Sequence, residues 1–583
     1  MKKFFLSLLL LVATGVVWAQ KTYQVASPDG SIELKVLVSD KIYYEIVSDG
    51  QTLLENGVMQ MQVGTQVLGQ KPKVTKKTLK KVSETIKPVV PFKFSTIDNT
   101  YNQLLLKFNG NYSVEFRAFD NGVAYRFLTQ KKGDVEVVNE VFQVDFPEDY
   151  LMHVQIAGHF KTSYEEAYRH MKFSEWKNEN GYTLLPVLIE AKNNHKILIS
   201  ESDLTDYPAM FLTHAADNNG ISSVFPKNPI EFGPDGDRSV KLLKEADYIA
   251  KTKGQRSYPW RYFVIAKEDG DLLENNMTAC LAEKSQIADP SWIKPGLTTW
   301  EWWNGATPYG PEVDFVAGCN TETYKYFIDF ASKFGVEYVL LDEGWGRSTR
   351  DPFTPNNRLN LKELIQYGKE KNVDVILWLT WLTVENNFDL FEKYAEMGVA
   401  GVKIDFFSGD NQMNMDYYIE LMECAARHHL LINFHGATIP RGWQRTYPNM
   451  LTMEAVYGAE WYNNVSTFTN KAAAHNATLP FTRNVIGPMD YTPCAFSASQ
   501  HPHITTDAHE LALTVLFESG LQHLADRPES YYAQPNDIQE FLGCLPAVWD
   551  ETRLVCGYPA THVVMARRSG STWYVAGING TDA

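Results

Sequence analysis

The chain has 583 residues, with 54 Lys and Arg against 70 Asp and Glu, for a formal net charge of −16. That acidic balance excludes a nucleic-acid binder, which would need a basic face, and a hydrophobic content of 44% excludes a disordered chain. The length exceeds what one hydrophobic core holds, so two or three domains are expected.

The first nineteen residues read as a secretion signal. Lys2 and Lys3 give a positive start, Phe4 to Val17 a short apolar run, and Val17-Trp18-Ala19 small residues at the −3 and −1 positions, placing cleavage before Gln20. The run is too short to span a bilayer comfortably, and no other stretch approaches a span. The mature protein is expected to cross the inner membrane and remain soluble, in the periplasm; without a Cys just after the cleavage site, a lipoprotein is disfavoured. The six cysteines (Cys280, Cys319, Cys424, Cys494, Cys544, Cys556) are scattered, with no Cys-x-x-Cys pair, so neither a disulfide framework nor a zinc site is indicated.

Residues 20–285 read as β. Alternating runs such as Ile32–Val38, Tyr43–Val47, Gln103–Phe108 and Tyr112–Arg117 are separated by Asp29-Gly30, Asp49-Gly50 and Asn121-Gly122 turns. Over this length the pattern predicts a large β-sandwich. Ser163–Lys172 is the clearest helical signal inside it. From 286 to 545 apolar strands alternate with helical stretches. The strands are Leu297–Trp302, Val336–Asp342, Val373–Thr380, Val399–Phe406, Leu430–His435, Met450–Ala455, Asn484–Met489 and Leu521–Ala525. The helices are Glu322–Lys333, Leu361–Lys371, Phe388–Glu396, Met415–His428, Asn464–Ala473 and Thr506–Glu518. Eight strands with crossovers predict a (β/α)8 barrel. A doubly wound open sheet is the alternative, but no Gly-rich phosphate loop supports it. Residues 546–583 return to β at His562–Arg567 and Thr572–Gly577, the start of a C-terminal β domain that looks incomplete, since so few strands make a marginal unit.

In such a barrel the active site forms at the C-terminal strand ends. There the sequence places Trp302, Trp303 and Asn304, then Asp342, Glu343 and Trp345, Trp378 and Thr380, Lys403 and Asp405, Asn433 and His435, Glu454 followed by Glu460, Asp490, and Asp526 with Arg527. Acids and tryptophans on one rim are the inventory of a glycosidase. A lone Asp after a strand is often only a helix cap. Asp405 is different, because Lys403 lies on the same side of its strand and would share its pocket. A metal-dependent hydrolase would need more histidines than His435 and His523, and a non-catalytic sugar-binding barrel would be expected to lack Asp405 or Glu460.

Several runs together resemble glycoside hydrolase family 97: Val402-Lys403-Ile404-Asp405-Phe406, Asn433-Phe434-His435-Gly436, Arg445-Thr446-Tyr447-Pro448-Asn449, and Glu454-Ala455-Val456-Tyr457-Gly458-Ala459-Glu460-Trp461. So do Trp302-Trp303-Asn304, Asp342-Glu343-Gly344-Trp345 and Pro480-Phe481-Thr482-Arg483-Asn484 in the barrel, and Ser163-Tyr164-Glu165-Glu166 and Glu201-Ser202-Asp203-Leu204 in the sandwich. The resemblance implies an N-terminal β-supersandwich, a (β/α)8 barrel and a C-terminal β domain. It implies that inverting members carry a Glu just after the fifth-strand His, where this chain has Gly436. It also implies that retaining members take an Asp nucleophile from the fourth strand, where Asp405 stands. Physically, inversion needs room for water, with carboxyl groups roughly 6.5–9.5 Å apart, and retention needs about 5–5.5 Å.

The resemblance therefore implies an exo-acting retaining α-galactosidase, with an α-glucosidase of the same family as the alternative. Asp405 would be the nucleophile and Glu460 the acid/base, with Lys403, Trp302, Asp342 and His435 binding the α-galactoside. It further implies a Ca2+ ion held by Glu201, Glu454 and Glu460, with Glu190 as a second candidate from the sandwich. Calcium prefers hard oxygen ligands.

Overall fold

The computed structural model describes residues 20–177, 181–215, 219–385, 387–497 and 500–581; the expected secretion signal lies outside them. Among the described residues, nineteen strands between 21 and 266 form one extended antiparallel sheet system. Ile32–Val38 shows the logic: every second residue is buried, the period-2 pattern of a half-buried strand. Gly122–Asp145, a 24-residue strand, pairs along its length with Tyr112–Phe119, Gln51–Val63, Gly220–Val224, Ala250–Ser257 and Trp260–Ala266, tying the system together. One ribbon stays outside it: Pro229–Asp235 and Ser239–Glu245 pair only with each other.

The helix expected at Ser163–Lys172 does not form. Residues 163–168 are irregular and Arg169–Lys172 is a strand paired with Leu151–Val154. Tertiary contacts override the local propensity. Gln155 donates its side-chain amide to the carbonyls of Tyr164 (3.1 Å) and Glu166 (2.6 Å), and Arg441 of the barrel donates to the Tyr164 hydroxyl at 2.9 Å.

The barrel strands are β1 (Gly296–Trp300), β2 (Tyr338–Leu341), β3 (Asp374–Thr380), β4 (Gly401–Asp405), β5 (Leu431–Phe434), β6 (Met450–Met453) and β7 (Leu521–Leu524). All pair in parallel, and β7 closes back onto β1. The strand expected at Asn484–Met489 is instead a 3-10 turn at Arg483–Ile486 followed by Gly487 at φ +145° and Pro488. Pro488 has no N–H to give a ladder. The buried Arg483 guanidinium does the joining. It donates to the carbonyls of Met453, Glu454, Ala455, Gly487 and Pro488 at 2.8–3.2 Å. Met489 N–H then reaches Glu518 O (2.7 Å) and Asp490 N–H reaches Met453 O (3.2 Å), so the gap between β6 and β7 is bridged.

Helices Thr321–Phe334, Leu361–Lys371, Leu390–Met397, Gln412–Arg427 and Asp507–Leu516 lie close to their expected positions. The helix expected at Asn464–Ala473 is broken into Trp461–Asn464 and Ala472–Thr478, because Val465-Ser466-Thr467 and Thr469-Asn470 are poor helix formers. Glu551–Tyr558, His562–Ser569 and Thr572–Asn579 form the C-terminal antiparallel sheet. It leans on the barrel: buried Arg567 donates to Leu516 O at 3.1 Å.

Candidate active site

All five residues of β4 are buried. Val402 and Ile404 point to one side, and Lys403 and Asp405 to the other, into the barrel mouth. An ammonium so deeply placed must be paired. Lys403 Nζ donates to Asp342 Oδ2 at 3.0 Å, lies 3.7 Å from Glu460 Oε1, and sits 4.6 Å above the Trp300 ring. Burial alone would lower its pKa, but Asp342, Glu460 and Asp405 outweigh burial and keep it charged.

Asp342, just past β2, accepts from Trp300 Nε1 at 2.7 Å and from the Glu343 N–H at 2.7 Å. Burial pushes this carboxyl up, but Lys403 and these donors win and hold it below the ordinary carboxylate value. Asp405 is held at both oxygens: Trp378 Nε1 donates to Oδ2 at 3.0 Å and the Phe406 N–H to Oδ1 at 2.7 Å. Burial raises its pKa, with His435, Lys403 and Trp378 opposing.

The residue facing Asp405 is glycine for a steric reason. A Cβ on Gly436 would lie 2.8 Å from Asp405 Oδ1 and 2.8 Å from Phe406 N, at φ +48°. No second carboxylate fits there without displacing the first. Across the mouth, Glu460 Oε1 lies 3.5 Å from His435 Nδ1. Burial lifts its carboxyl to about 8, Glu454 and Asp405 adding to the rise and Lys403 and His435 opposing it. A carboxyl held above the ordinary range suits a proton donor.

His435 is fixed at its other nitrogen by Asp490 Oδ2 at 2.7 Å, which also accepts from Asn433 Nδ2 at 2.7 Å. Burial works against a charged ring, yet Glu454 and Asp490 raise the His435 pKa well above the ordinary histidine value. Glu454 accepts from the Gly436 N–H at 2.7 Å and lies 3.3 Å from His435 Nδ1.

Asp405, Glu460, Lys403, Asp342, His435 and Glu454 therefore share one buried mouth. Trp302 stacks on Trp300 at 5.5 Å. Glu201 is elsewhere. Both of its oxygens are engaged by Arg261 and Arg441, the latter at 2.5 Å, in a fully buried knot between sandwich and barrel. A carboxylate neutralised by two guanidiniums is not a free metal ligand. Glu190 is bound to His153 and Tyr558, also away from the mouth.

The sandwich instead sends Glu165, which accepts from Trp461 Nε1 at 2.9 Å. Burial and the neighbouring Glu454 and Glu460 raise its pKa well above the ordinary value. Reading its segment as helix hid this residue; its signal was the pair of acids in Ser163-Tyr164-Glu165-Glu166. Glu301 was also missed. It is buried at the end of β1 and accepts from Tyr324 OH (2.5 Å) and the Asp342 N–H (2.9 Å). Burial, helped by Asp342, lifts it to about 8, so it stays neutral and adds no charge against Asp342. An acid between two tryptophans at a strand end was its signal.

Two acids, Asp405 and Glu460, at the mouth of a parallel barrel are the arrangement of a glycoside hydrolase. Family models agree along the chain: "Glycosyl-hydrolase 97 N-terminal" matches residues 25–283, "Glycoside hydrolase 97" residues 302–456, and "Glycosyl-hydrolase 97 C-terminal, oligomerisation" residues 548–583. The chain belongs to glycoside hydrolase family 97.

It is 36% identical to a retaining alpha-galactosidase of Bacteroides thetaiotaomicron, over 99% of this chain and 90% of the relative. It is 34% identical to a probable retaining alpha-galactosidase of Streptomyces bingchenggensis, over 91% and 79%. Among solved structures, a beta-arabinopyranosidase superposes with TM-score 0.84 at 26% identity, over 96% of this chain and 90% of that one. A family 97 enzyme from Pseudoalteromonas sp. strain K8, in complex with acarbose, gives TM-score 0.83 at 24% identity, over 96% and 89%, and shares the fold.

Proposed function

We propose that this glycoside hydrolase is an exo-acting α-galactosidase that removes terminal α-galactosyl residues with retention. The observation that carries the reading is Asp405, buried at the end of β4 and held by two donors, with a side-chain-free Gly436 against it. The relatives named retaining alpha-galactosidase support the choice of sugar.

In the first step an Asp405 oxygen attacks the anomeric carbon, the bond to the leaving oxygen breaks, and Glu460 gives that oxygen its proton. In the second step Glu460 takes a proton from water, the water oxygen attacks the same carbon, and the Asp405 ester bond breaks. Two displacements restore the starting configuration. Lys403 and Asp342, locked to each other, offer a donor and an acceptor to ring hydroxyls. The Trp300 and Trp378 indoles fix Asp342 and Asp405.

A carboxylate oxygen from each of Glu454 and Glu460 and a ring nitrogen of His435 lie within 4.8 Å of one another, and Glu165 stands near enough for the charges of Glu454 and Glu460 to act on it. Burial first, and the neighbouring acids after it, raise the pKa of Glu165 and Glu460; neighbouring acids of this kind, with their hard carboxylate oxygens, fit a calcium ion. Such an ion would offset the charge gathered there and polarise substrate oxygens. Glu165 replaces Glu201 in this ligand set.

The Met1–Ala19 leader supports export to the periplasm. Among the described residues no helix is long and apolar enough to cross a membrane.

The test is hydrolysis of nitrophenyl α-galactoside, α-glucoside and β-L-arabinopyranoside by wild type and Asp405→Asn. Galactoside turnover that Asp405→Asn abolishes supports the reading. A preference for the glucoside, or normal turnover by the variant, overturns it.

A further inference from the structure

The isolated ribbon Pro229–Asp235/Ser239–Glu245 has no sheet neighbours among the described residues, and such two-stranded units are marginal alone. It exposes Ile230, Leu242 and Leu243. What holds it is the barrel mouth. At its tip Arg238 donates two hydrogen bonds, at 3.0 and 2.9 Å, to the Glu343 carboxylate, one residue past Asp342. The same guanidinium lies 5.3 Å from the centre of the Phe406 ring, one residue past Asp405. Neighbouring contacts fix the tip from both sides. Thr349 Oγ1 donates to Asp237 Oδ2 (3.1 Å) and Arg350 to Asp237 O (3.1 Å). Lys161, from the segment carrying Glu165, donates to Asp235 Oδ2 (2.8 Å) and Val240 O (3.1 Å).

Phe406 is strained, a bulky residue at φ +69°. That conformation turns its ring outward, edge-on to Trp378 at 6.3 Å and 36% exposed. Exposure sorts the mouth into two depths. Lys403 and Asp342 are 2% and 5% exposed, whereas Arg238 and Glu343 are 34% and 32%. In an enzyme that removes terminal sugars, the deep layer takes the sugar being cleaved. The outer layer meets the leaving group. A cavity of about 230 Å³, lined by Glu343, Trp345, Thr349 and Trp378 among others, opens in this outer layer.

We propose that the sandwich ribbon, through Arg238, with Phe406 and Glu343, forms the binding platform for the leaving-group sugar: an aromatic face for the ring, and guanidinium and carboxylate edges for its hydroxyls. This deepens the α-galactosidase reading and rests on it. It assigns the N-terminal domain a role in choosing which galactosides are cleaved. Arg238 is a specificity residue here, separate from the residues that make and break bonds.

The test compares kcat/KM for an α-1,6-linked galactosyl-glucose disaccharide with that for nitrophenyl α-galactoside, in wild type, Arg238→Ala and Arg238→Lys. The readout is the disaccharide-to-aryl ratio, since only the disaccharide offers a sugar to the platform. The ratio is expected to fall at least ~10-fold in Arg238→Ala, chiefly through KM, and by less in Arg238→Lys, which keeps the charge beside Glu343 but loses the fork. A ratio unchanged in both variants overturns the proposal. So does an equal loss on both substrates, which would make the ribbon a scaffold. If Arg238→Ala does not fold, Arg238→Lys decides by the same criterion. A wild type that cleaves neither galactoside would refute the α-galactosidase reading itself, a separate outcome from an unchanged ratio.

Discussion

Gly436→Ala adds one methyl group beside the reacting carboxylate. An ideal Cβ there lies 2.8 Å from Asp405 Oδ1, 2.8 Å from Phe406 N and 3.0 Å from Phe406 Cα. A carbon and an oxygen rest at roughly 3.3–3.6 Å, so the Asp405 carboxylate must retreat by about half an ångström or more. It cannot do so freely, because Trp378 and the Phe406 N–H hold its two oxygens. A misplacement approaching ~1 Å of an attacking group costs on the order of 10²-fold in rate. The stability cost is smaller: about 1–2 kcal/mol for a left-handed alanine and about 1–3 kcal/mol for overpacking. The expected result is a ~10²-fold fall in kcat/KM on nitrophenyl α-galactoside, with an intact circular dichroism spectrum and a modestly lowered thermal midpoint. Wild-type kcat/KM in Gly436→Ala would refute both the placement of Asp405 and its role.

Removing Trp378 Nε1 by Trp378→Phe should leave Asp405 Oδ2 without its donor and cut kcat by about 10-fold or more, while KM changes less, as steady-state kinetics would show. Arg441→Met removes a partner of buried Glu201 and should destabilise the sandwich–barrel junction by roughly 3–5 kcal/mol, read from urea unfolding. Asp342 gives a pH prediction. Its folded pKa lies below its unfolded value, so its stabilisation is present above about pH 4 and is lost as pH falls through the folded pKa. The stability gap between wild type and Asp342→Asn should therefore be larger at pH 7 than at pH 3; a gap independent of pH would contradict the pairing with Lys403. Chelation should lower both activity and the thermal midpoint, with calcium restoring them, and Glu165→Gln should weaken the calcium-induced rise in midpoint whatever its effect on rate. No change on chelation would remove calcium from the site.

Much of the fold was legible because its signals are local. Ile32–Val38 and Leu361–Lys371 match their sequence periodicity residue for residue. The two failures have different physical origins. Asn484–Met489 contains a strand-like apolar pair, Val485-Ile486, but Gly487-Pro488 interrupts it and Arg483 supplies the hydrogen bonds a strand would have made. Ser163–Lys172 has a helix's composition, but contacts to Gln155, close by in sequence, and to Arg441, 277 positions beyond Tyr164, pull it open.

The site divides in the same way. Lys403 and Asp405 were readable because two charges on one face of an apolar strand need an explanation within that strand. Glu201 was misplaced because nothing near it in sequence announces Arg261 and Arg441. Glu165, Glu301 and Arg238 act through partners from other elements, and pattern alone does not pair them.

The most direct measurement is the proton NMR spectrum of the sugar first released from nitrophenyl α-galactoside, recorded before mutarotation. Attack by Asp405 followed by water gives the α-anomer first. A β-anomer appearing first would mean a single displacement by water, and Asp405 would not be the nucleophile.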